Sequence, residues 1–505
     1  MKITSLLFGI FSGCISLPLA CAADYTWNGG NASWTDSGAW LLDGNAADWV
    51  NGSNALFQTG STLAVGSGIS ASGLLYEGVA VTLNGGSLTL TGNASGSNGG
   101  SATLSGTALT LNAADAEDAW TVRDTSLSGS STLTKTGNGT VTLSGTHTAN
   151  GTWNINEGTL VFTGTRDITG GGQINIASGA VLDTSEGRLF HAANYASNWE
   201  QPTITLNGGT LKLNQFGYNS ASLGCLQNNF YALKFSSGTT SRVVISQGYE
   251  SGGTGSRGIY IAGWGTTAVI ELGANQTFTW SSSNGQNFDS IVCESGAGSA
   301  LQLDVGENSV FNFDQKFANK NTANEYGAPT TSNFSGLSLI KSGSGELVIK
   351  RANTISSGRV VRVDAGKLTL DVDNAFGTGS GLGGVNIASG ALLSMNGHTL
   401  NNTIEVVSGA TLDMGGSSYA SLVNWHEGGI LLNTENNKGT LNIMTRTELE
   451  LGAKSWAGSV VTDTDTVFTL TTNQNLGALG AAVNCWIGGR GNNNTLQSIS
   501  LHGRP

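Results

Sequence analysis

The stretch Val81-Thr82-Leu83-Asn84-Gly85-Gly86-Ser87-Leu88-Thr89-Leu90 holds two short alternating segments joined by a glycine turn. Successive side chains on a strand point to opposite faces. Val81, Leu83, Leu88 and Leu90 therefore share one side, and Thr82, Asn84, Ser87 and Thr89 the other. Glycine at the break accepts backbone angles that other residues resist. One such unit has an apolar face and nothing to bury it against. The same line returns at 174–182, 204–213, 385–393 and 404–412. Many copies stacked on one another would bury a continuous core, each strand pairing with the one above and below. The step from Val385 to Ile404 is 19 residues, a fitting length for one solenoid coil. The rival arrangement is a set of antiparallel hairpins, because Asn84-Gly85, Asn207-Gly208 and Asn396-Gly397 are also hairpin-turn dipeptides. The return of the whole motif with similar flanks favours the solenoid.

Two longer segments resemble each other more closely. The first opens Leu133-Thr134-Lys135-Thr136-Gly137-Asn138-Gly139 and runs on to Gly158-Thr159-Leu160. The second opens Leu339-Ile340-Lys341-Ser342-Gly343-Ser344-Gly345 and runs on to Gly366-Lys367-Leu368 and Gly379. This pattern resembles the autotransporter-associated β-strand repeat, over roughly 133–162 and 339–379. The resemblance implies an all-β, right-handed parallel β-helix, displayed on or released from a Gram-negative cell surface as a passenger. Passengers of that type usually end in a translocating barrel, and some repeat-bearing surface proteins in a Pro-Glu-Pro sorting tail. The residues up to Pro505 read as neither.

Composition agrees with a solenoid. The 505 residues include 75 Gly and 4 Pro, and only 11% are charged, against roughly 25% in an average domain. Thr, Val, Ile and Leu run throughout, which is not the make-up of a disordered chain. The net charge of −12, with no Lys/Arg cluster, excludes a nucleic-acid partner. Residues 1–23 read as a secretory signal: Lys2, an uncharged apolar stretch, then Ala20-Cys21-Ala22. No later segment has the ~18 apolar residues that span a bilayer. Export leaves Cys225, Cys293 and Cys485, an odd set whose pairing stays open.

The expected organisation follows the chain. Residues 24–60, with Trp27, Trp34, Trp40 and Trp49, form an N-terminal cap over the open end of the core. Residues 61–186 are coils holding the first long repeat, and 187–335 are irregular coils with loops. Residues 336–416 are coils holding the second long repeat, and 417–505 are C-terminal coils.

Catalysis on such a scaffold needs carboxylates converging with a base or metal. Asp183, Glu186, Arg188 and His191 are the best local group, and a solvated turn accounts for them. The same holds for Asp371 with Asp373, because calcium needs six to eight oxygens, while Asp463 and Asp465 alternate along a strand and share its solvated outer face. Gly252-Gly253-Thr254-Gly255-Ser256-Arg257 has Arg where a calcium-binding nonapeptide has Asp. The five histidines, His147, His191, His398, His426 and His502, are dispersed, so no metal or cofactor site is expected. Aromatic rings offer the better binding chemistry, since sugars stack on them. The four N-terminal Trp could form such a platform, though a cap core is the plainer reading. Trp264 and Trp280, in the irregular middle, are the candidate binding residues.

The expectation is an exported, non-enzymatic passenger with a structural or adhesive role, contacting extracellular glycans or neighbouring cells. The alternatives are a carbohydrate-active β-helix enzyme (lyase or glycoside hydrolase) and a lectin-like module centred on Trp264 and Trp280.

Overall fold

The computed structural model describes residues 22–28, 30, 32–166, 172–189, 203–214, 233–246, 260–261, 265–281, 290–293, 298–319 and 337–415. Beyond these it describes strand segments at 422–426, 430–432, 440–443, 448–451, 459–462, 467–470 and 500–501. The expected signal segment, as far as Cys21, lies outside the described residues, as do Cys225 and Cys485.

Asn84-Gly85-Gly86 turns a corner rather than a hairpin. Ala80–Asn84 pairs in parallel with Ser101–Ser105 of the next coil, and Ser87–Leu90 pairs in parallel with Ala108–Asn112. Each coil thus sends strands to different sheets. Within each sheet the partner is the equivalent strand one coil on, as Val385 pairs with Ile404. The architecture is a parallel β-helix solenoid.

Three sheets wrap the core. The first runs from Ser87–Leu90 through Thr132–Thr136, Trp153–Ile155 and Thr203–Leu206 to Lys316–Asn319. The second runs from Ala119–Val122 through Thr140–Leu143, Thr240–Ile245 and Leu337–Ser342 to Ile404–Val406 and beyond. The third begins with Ser61–Ala64, Ala80–Asn84, Ser101–Ser105 and Thr125–Ser128, and continues through Thr146–His147 and Thr165–Arg166. A further parallel run from Thr277–Ser281 to Val467–Leu470 forms the corresponding face later in the chain. Coil length varies with what is inserted: Leu412 follows Leu393 by 19 residues, whereas Leu339 follows Leu301 by 38.

Burial follows the alternation. Leu63, Leu83, Leu104 and Leu127 are in register and wholly buried, and strands such as Thr140–Leu143 alternate partly exposed Thr with buried Val and Leu. Large-scale stacking of apolar residues is the main source of stability in such a fold.

The N-terminal segment differs. Asp24–Trp27 pairs in parallel with Ser53–Phe57 on one side and antiparallel with Trp40–Leu42 on the other. Trp40–Leu42 in turn pairs antiparallel with Asn45–Ala47. Trp27, Trp34 and Trp40 are buried against one another and Phe57, with ring centroids 4.9–6.2 Å apart. Trp49 packs at the edge of this cluster, 4.7 Å from Trp40. Trp27 Nε1 donates to Ser61 Oγ and Trp40 Nε1 to the Trp34 carbonyl. The rings therefore form a core and do not present a stacking platform.

Candidate functional site

The long repeats carry a feature that alternation alone would not place in a core. Lys135 shares the parity of Leu133 and points inward, in register with Leu111 before it and Ile155 after it. The residue is buried. Its ammonium is satisfied at the corner: Nζ donates to the carbonyls of Thr136 at 2.8 Å, Gly137 at 2.7 Å and Glu157 at 3.2 Å. The last of these belongs to the next coil. Lys341 repeats the arrangement, donating to Ser342 at 2.7 Å, Gly343 at 2.7 Å and Ala365 at 3.1 Å. Burial pushes both amines down to about 8. Glu157 pulls Lys135, and Asp304 pulls Lys341, the other way.

Glycine makes room for the clamp. Gly137 and Gly343 both take φ of +73°, the left-handed region that glycine enters freely. In the following coil Gly158 and Gly366 sit directly on this corner. A methyl on Gly366 would fall 2.5 Å from the Gly345 carbonyl oxygen and 2.6 Å from that of Gly343. The motif is thus a two-coil joint: lysine and glycines in one coil, a glycine in the next.

The two joints do not lie on the same face. Lys135 belongs to the first sheet, whereas Lys341 lies on the sheet that contains Val141. The second repeat is therefore rotated by one face relative to the first. The repeat specifies a corner and its neighbours, not a fixed side of the solenoid.

The outer surface of the first sheet is the other extended feature. Ser70, Thr89, Thr110, Thr134, Asn154, Asn175 and Thr205 follow one another in register on seven successive coils. All seven are partly exposed, and none is charged. Parallel neighbours stand about 4.8 Å apart, so this hydroxyl and amide ladder extends for about 29 Å. Asn175 Nδ2 donates to Asn154 Oδ1 at 2.9 Å along it.

Charged groups meet elsewhere. Arg242 pairs with Glu271 and lies 3.5 Å from Asp304, three residues from three successive coils. Asp371 pairs with Lys350 at 2.7 Å and Asp373 faces His398 Nδ1 at 3.3 Å. The main-chain N–H of Thr399, with His398 beside it, holds the Asp373 carboxyl below its ordinary value. Asp183 pairs with Lys212 at 3.5 Å and accepts from the Ser185 hydroxyl, so it does not join Glu186 and Arg188 in a catalytic group. His191, Asp463 and Asp465 lie outside the described residues. Among the described residues no group of three or more His, Cys, Asp or Glu could hold a metal ion.

Of the two candidate aromatic residues, Trp264 lies outside the described residues. Trp280 is wholly buried, in register with Phe313 and 5.9 Å from its ring, edge to face. Its indole fills the core and offers no face to a sugar. The reason is parity: Phe278 and Trp280 take the inward positions of Thr277–Ser281. The lysine clamp was open to the same reasoning, since Lys135 and Lys341 sit in phase with Leu133 and Leu339.

Residues 133–162 match the family described as passenger-associated-transport-repeat. This chain carries a passenger repeat. The matched segment begins at Leu133, includes the Lys135 clamp and Gly158, and spans both coils of the first joint. The autotransporter passenger family supports a surface passenger role and implies export to the cell surface or beyond. No curated protein and no solved structure matches the chain.

Proposed function

We propose that the chain is an exported β-helix passenger with an adhesive role, and that the uncharged ladder from Ser70 to Thr205 is its contact surface for neutral glycans. The observation that carries this reading is the ladder itself, seven in-register hydroxyl or amide side chains without a charge. Such a surface makes many weak, evenly spaced hydrogen bonds and demands no counter-charge from its partner. The N-terminal tryptophan cluster serves, on this reading, to close the end of the core. A glycan array probed with the exported chain, beside a polysaccharide-degradation assay, tests the proposal. Binding to neutral glycans without turnover is expected. Placing lysines at Thr110, Thr134 and Asn154 should abolish it. Binding that survives those substitutions would exclude the ladder.

One observation favours a second reading, a carbohydrate-active enzyme. Glu271 and Asp304 are register neighbours on adjacent coils, and Arg242 reaches both. Paired carboxylates are the machinery of glycoside hydrolysis. Here one guanidinium bridges the two, as in a surface ion-pair ladder. Depolymerisation by the wild-type chain that is lost in Glu271→Gln would establish the enzyme and overturn the adhesive reading.

A further inference from the structure

The third-sheet segment of the first repeat contains a histidine where the second repeat has an asparagine. His147 follows Lys135 by twelve residues, and Asn353 follows Lys341 by twelve. Both side chains are buried. Each accepts a main-chain N–H from an earlier coil: Leu127 N donates to His147 Nδ1 at 3.2 Å, and Phe317 N donates to Asn353 Oδ1 at 2.7 Å. The two side chains do the same job with different chemistry. An amide oxygen accepts at any ordinary pH. An imidazole nitrogen accepts only while it lacks a proton, and here the donor opposite is an amide that can only donate.

Most of the surroundings of His147 oppose protonation, the Ser144 main chain alone favouring it among the groups that act on the ring. In the next coil its register partner is Arg166, a buried guanidinium 4.6 Å above the Trp153 ring that donates to the Gly151 carbonyl at 2.8 Å. Trp153 and Phe162 pack on the imidazole with centroids 5.8 Å and 5.6 Å away. Thr125–Ser128, Trp153–Ile155 and Thr159–Phe162 bring no charged residue to it. Arg123 and Asp124, which precede the first of these strands, are exposed and paired with each other. Arg188, one coil on, bridges to Thr165 and, like Thr165, sits on the partly exposed side of the strand rather than behind Arg166. Among the described residues, the charge stacked next to His147 on this inner face is therefore the Arg166 cation.

We propose that His147 makes the first repeat an acid-opened joint: protonation of Nδ1 detaches Thr146–His147 from the preceding coil, while Asn353 keeps the matching place in the second repeat closed. Protonation would turn the acceptor into a donor facing the Leu127 N–H and set a second cation beside Arg166. Burial, with Arg166 adding to it and the Ser144 main chain opposing, lowers the imidazole to about 4 from an ordinary 6.5. The sign follows from linkage. Between those values the opened segment binds a proton that the closed one does not, so closure weakens as pH falls through the window.

Hydrogen exchange on the full chain, corrected for intrinsic rates, reads this at two amides. Protection of Leu127 N should fall by about tenfold per pH unit below pH ~6.5, the slope for uptake of one proton. Protection of Phe317 N should not follow it. His147→Asn keeps an acceptor for Leu127 and should flatten the profile. Equal falls at both amides, or an unchanged fall in His147→Asn, would overturn the proposal. If His147→Asn does not fold, Asn353→His decides: it must transfer the fall to Phe317, and a flat profile there overturns the proposal instead.

Discussion

Lys135 Nζ lies 3.2 Å from the carbonyl oxygen of Glu157, so a single side chain ties one coil to the next at the core corner. Lys341 and Ala365 stand in the same relation at 3.1 Å. In a solenoid each coil contacts only its neighbours, so stability is close to a sum of coil and interface terms. A tie between coils strengthens an interface term directly. Replacing Lys135 with Met keeps the bulk and removes the donor. The carbonyls of Gly137 and Glu157 then lose their clamp in a buried place. The expected cost is about 1–3 kcal/mol, the usual penalty for stranding a buried acceptor. Urea unfolding of Lys135→Met and Lys341→Met measures it, and equal stability to wild type would show that the clamp contributes nothing net.

The clamps also make stability depend on alkaline pH. Both amines release their proton near pH 8 in the folded chain, against 10.5 when unfolded. Between these values the unfolded chain holds more protons, so raising pH favours the folded state. The physical cause is relief of the burial cost of the ammonium. The stability difference between wild type and the Lys135→Met/Lys341→Met double variant should therefore shift in favour of wild type from pH 7.5 to pH 10.5. A difference that stays flat, or moves the other way, would contradict the depressed values.

The glycines of the joint are not interchangeable with those of ordinary turns. Gly158 has φ of +60° and faces the corner, where a methyl would fall 2.5 Å from the Gly139 carbonyl oxygen. Gly179 has φ of +77° but open space around it. Gly179→Ala should cost only the left-handed strain, about 1–2 kcal/mol. Gly158→Ala adds a clash with the backbone of the preceding coil, which cannot move without breaking its ladder. It should cost more than Gly179→Ala by at least 1 kcal/mol on the scale of overpacked cores. Thermal melts of the two variants compare them, and equal losses would mean that the corner relaxes freely.

Much of this fold is legible in the residues. The pairing of Val385 with Ile404 can be read from the return of one alternating line after 19 residues. What the line does not carry is the phase of each repeat around the solenoid. Lys341 lies one face on from Lys135, and nothing in the local line of either repeat distinguishes the two faces. Nor does local sequence disclose the shared role of His147 and Asn353. Their common feature is an acceptor aimed at an N–H of an earlier coil, and the two residue types look unrelated until both are placed. The ladder from Ser70 to Thr205 sits between these cases: its residue types are visible in each line, but their stacking depends on the register.

Trp280 gives the sharpest test of how the aromatic residues divide between core and surface. Its ring is buried between Phe311 and Phe313, and Phe278 lies on the same inward face. Trp280→Ala should leave a cavity on the inner face of Thr277–Ser281 and cost about 3–5 kcal/mol, as large aromatic truncations in cores do. Trp280→Phe keeps most of the apolar volume and should recover the larger part. A lectin-like site centred on this residue requires the opposite pattern, loss of glycan binding with the unfolding midpoint unchanged. Measuring both quantities on the two variants separates the outcomes. A stable Trp280→Ala chain that no longer binds would return the indole to the surface chemistry, whereas a destabilised chain whose folded fraction still binds would leave the outer ladder as the contact surface.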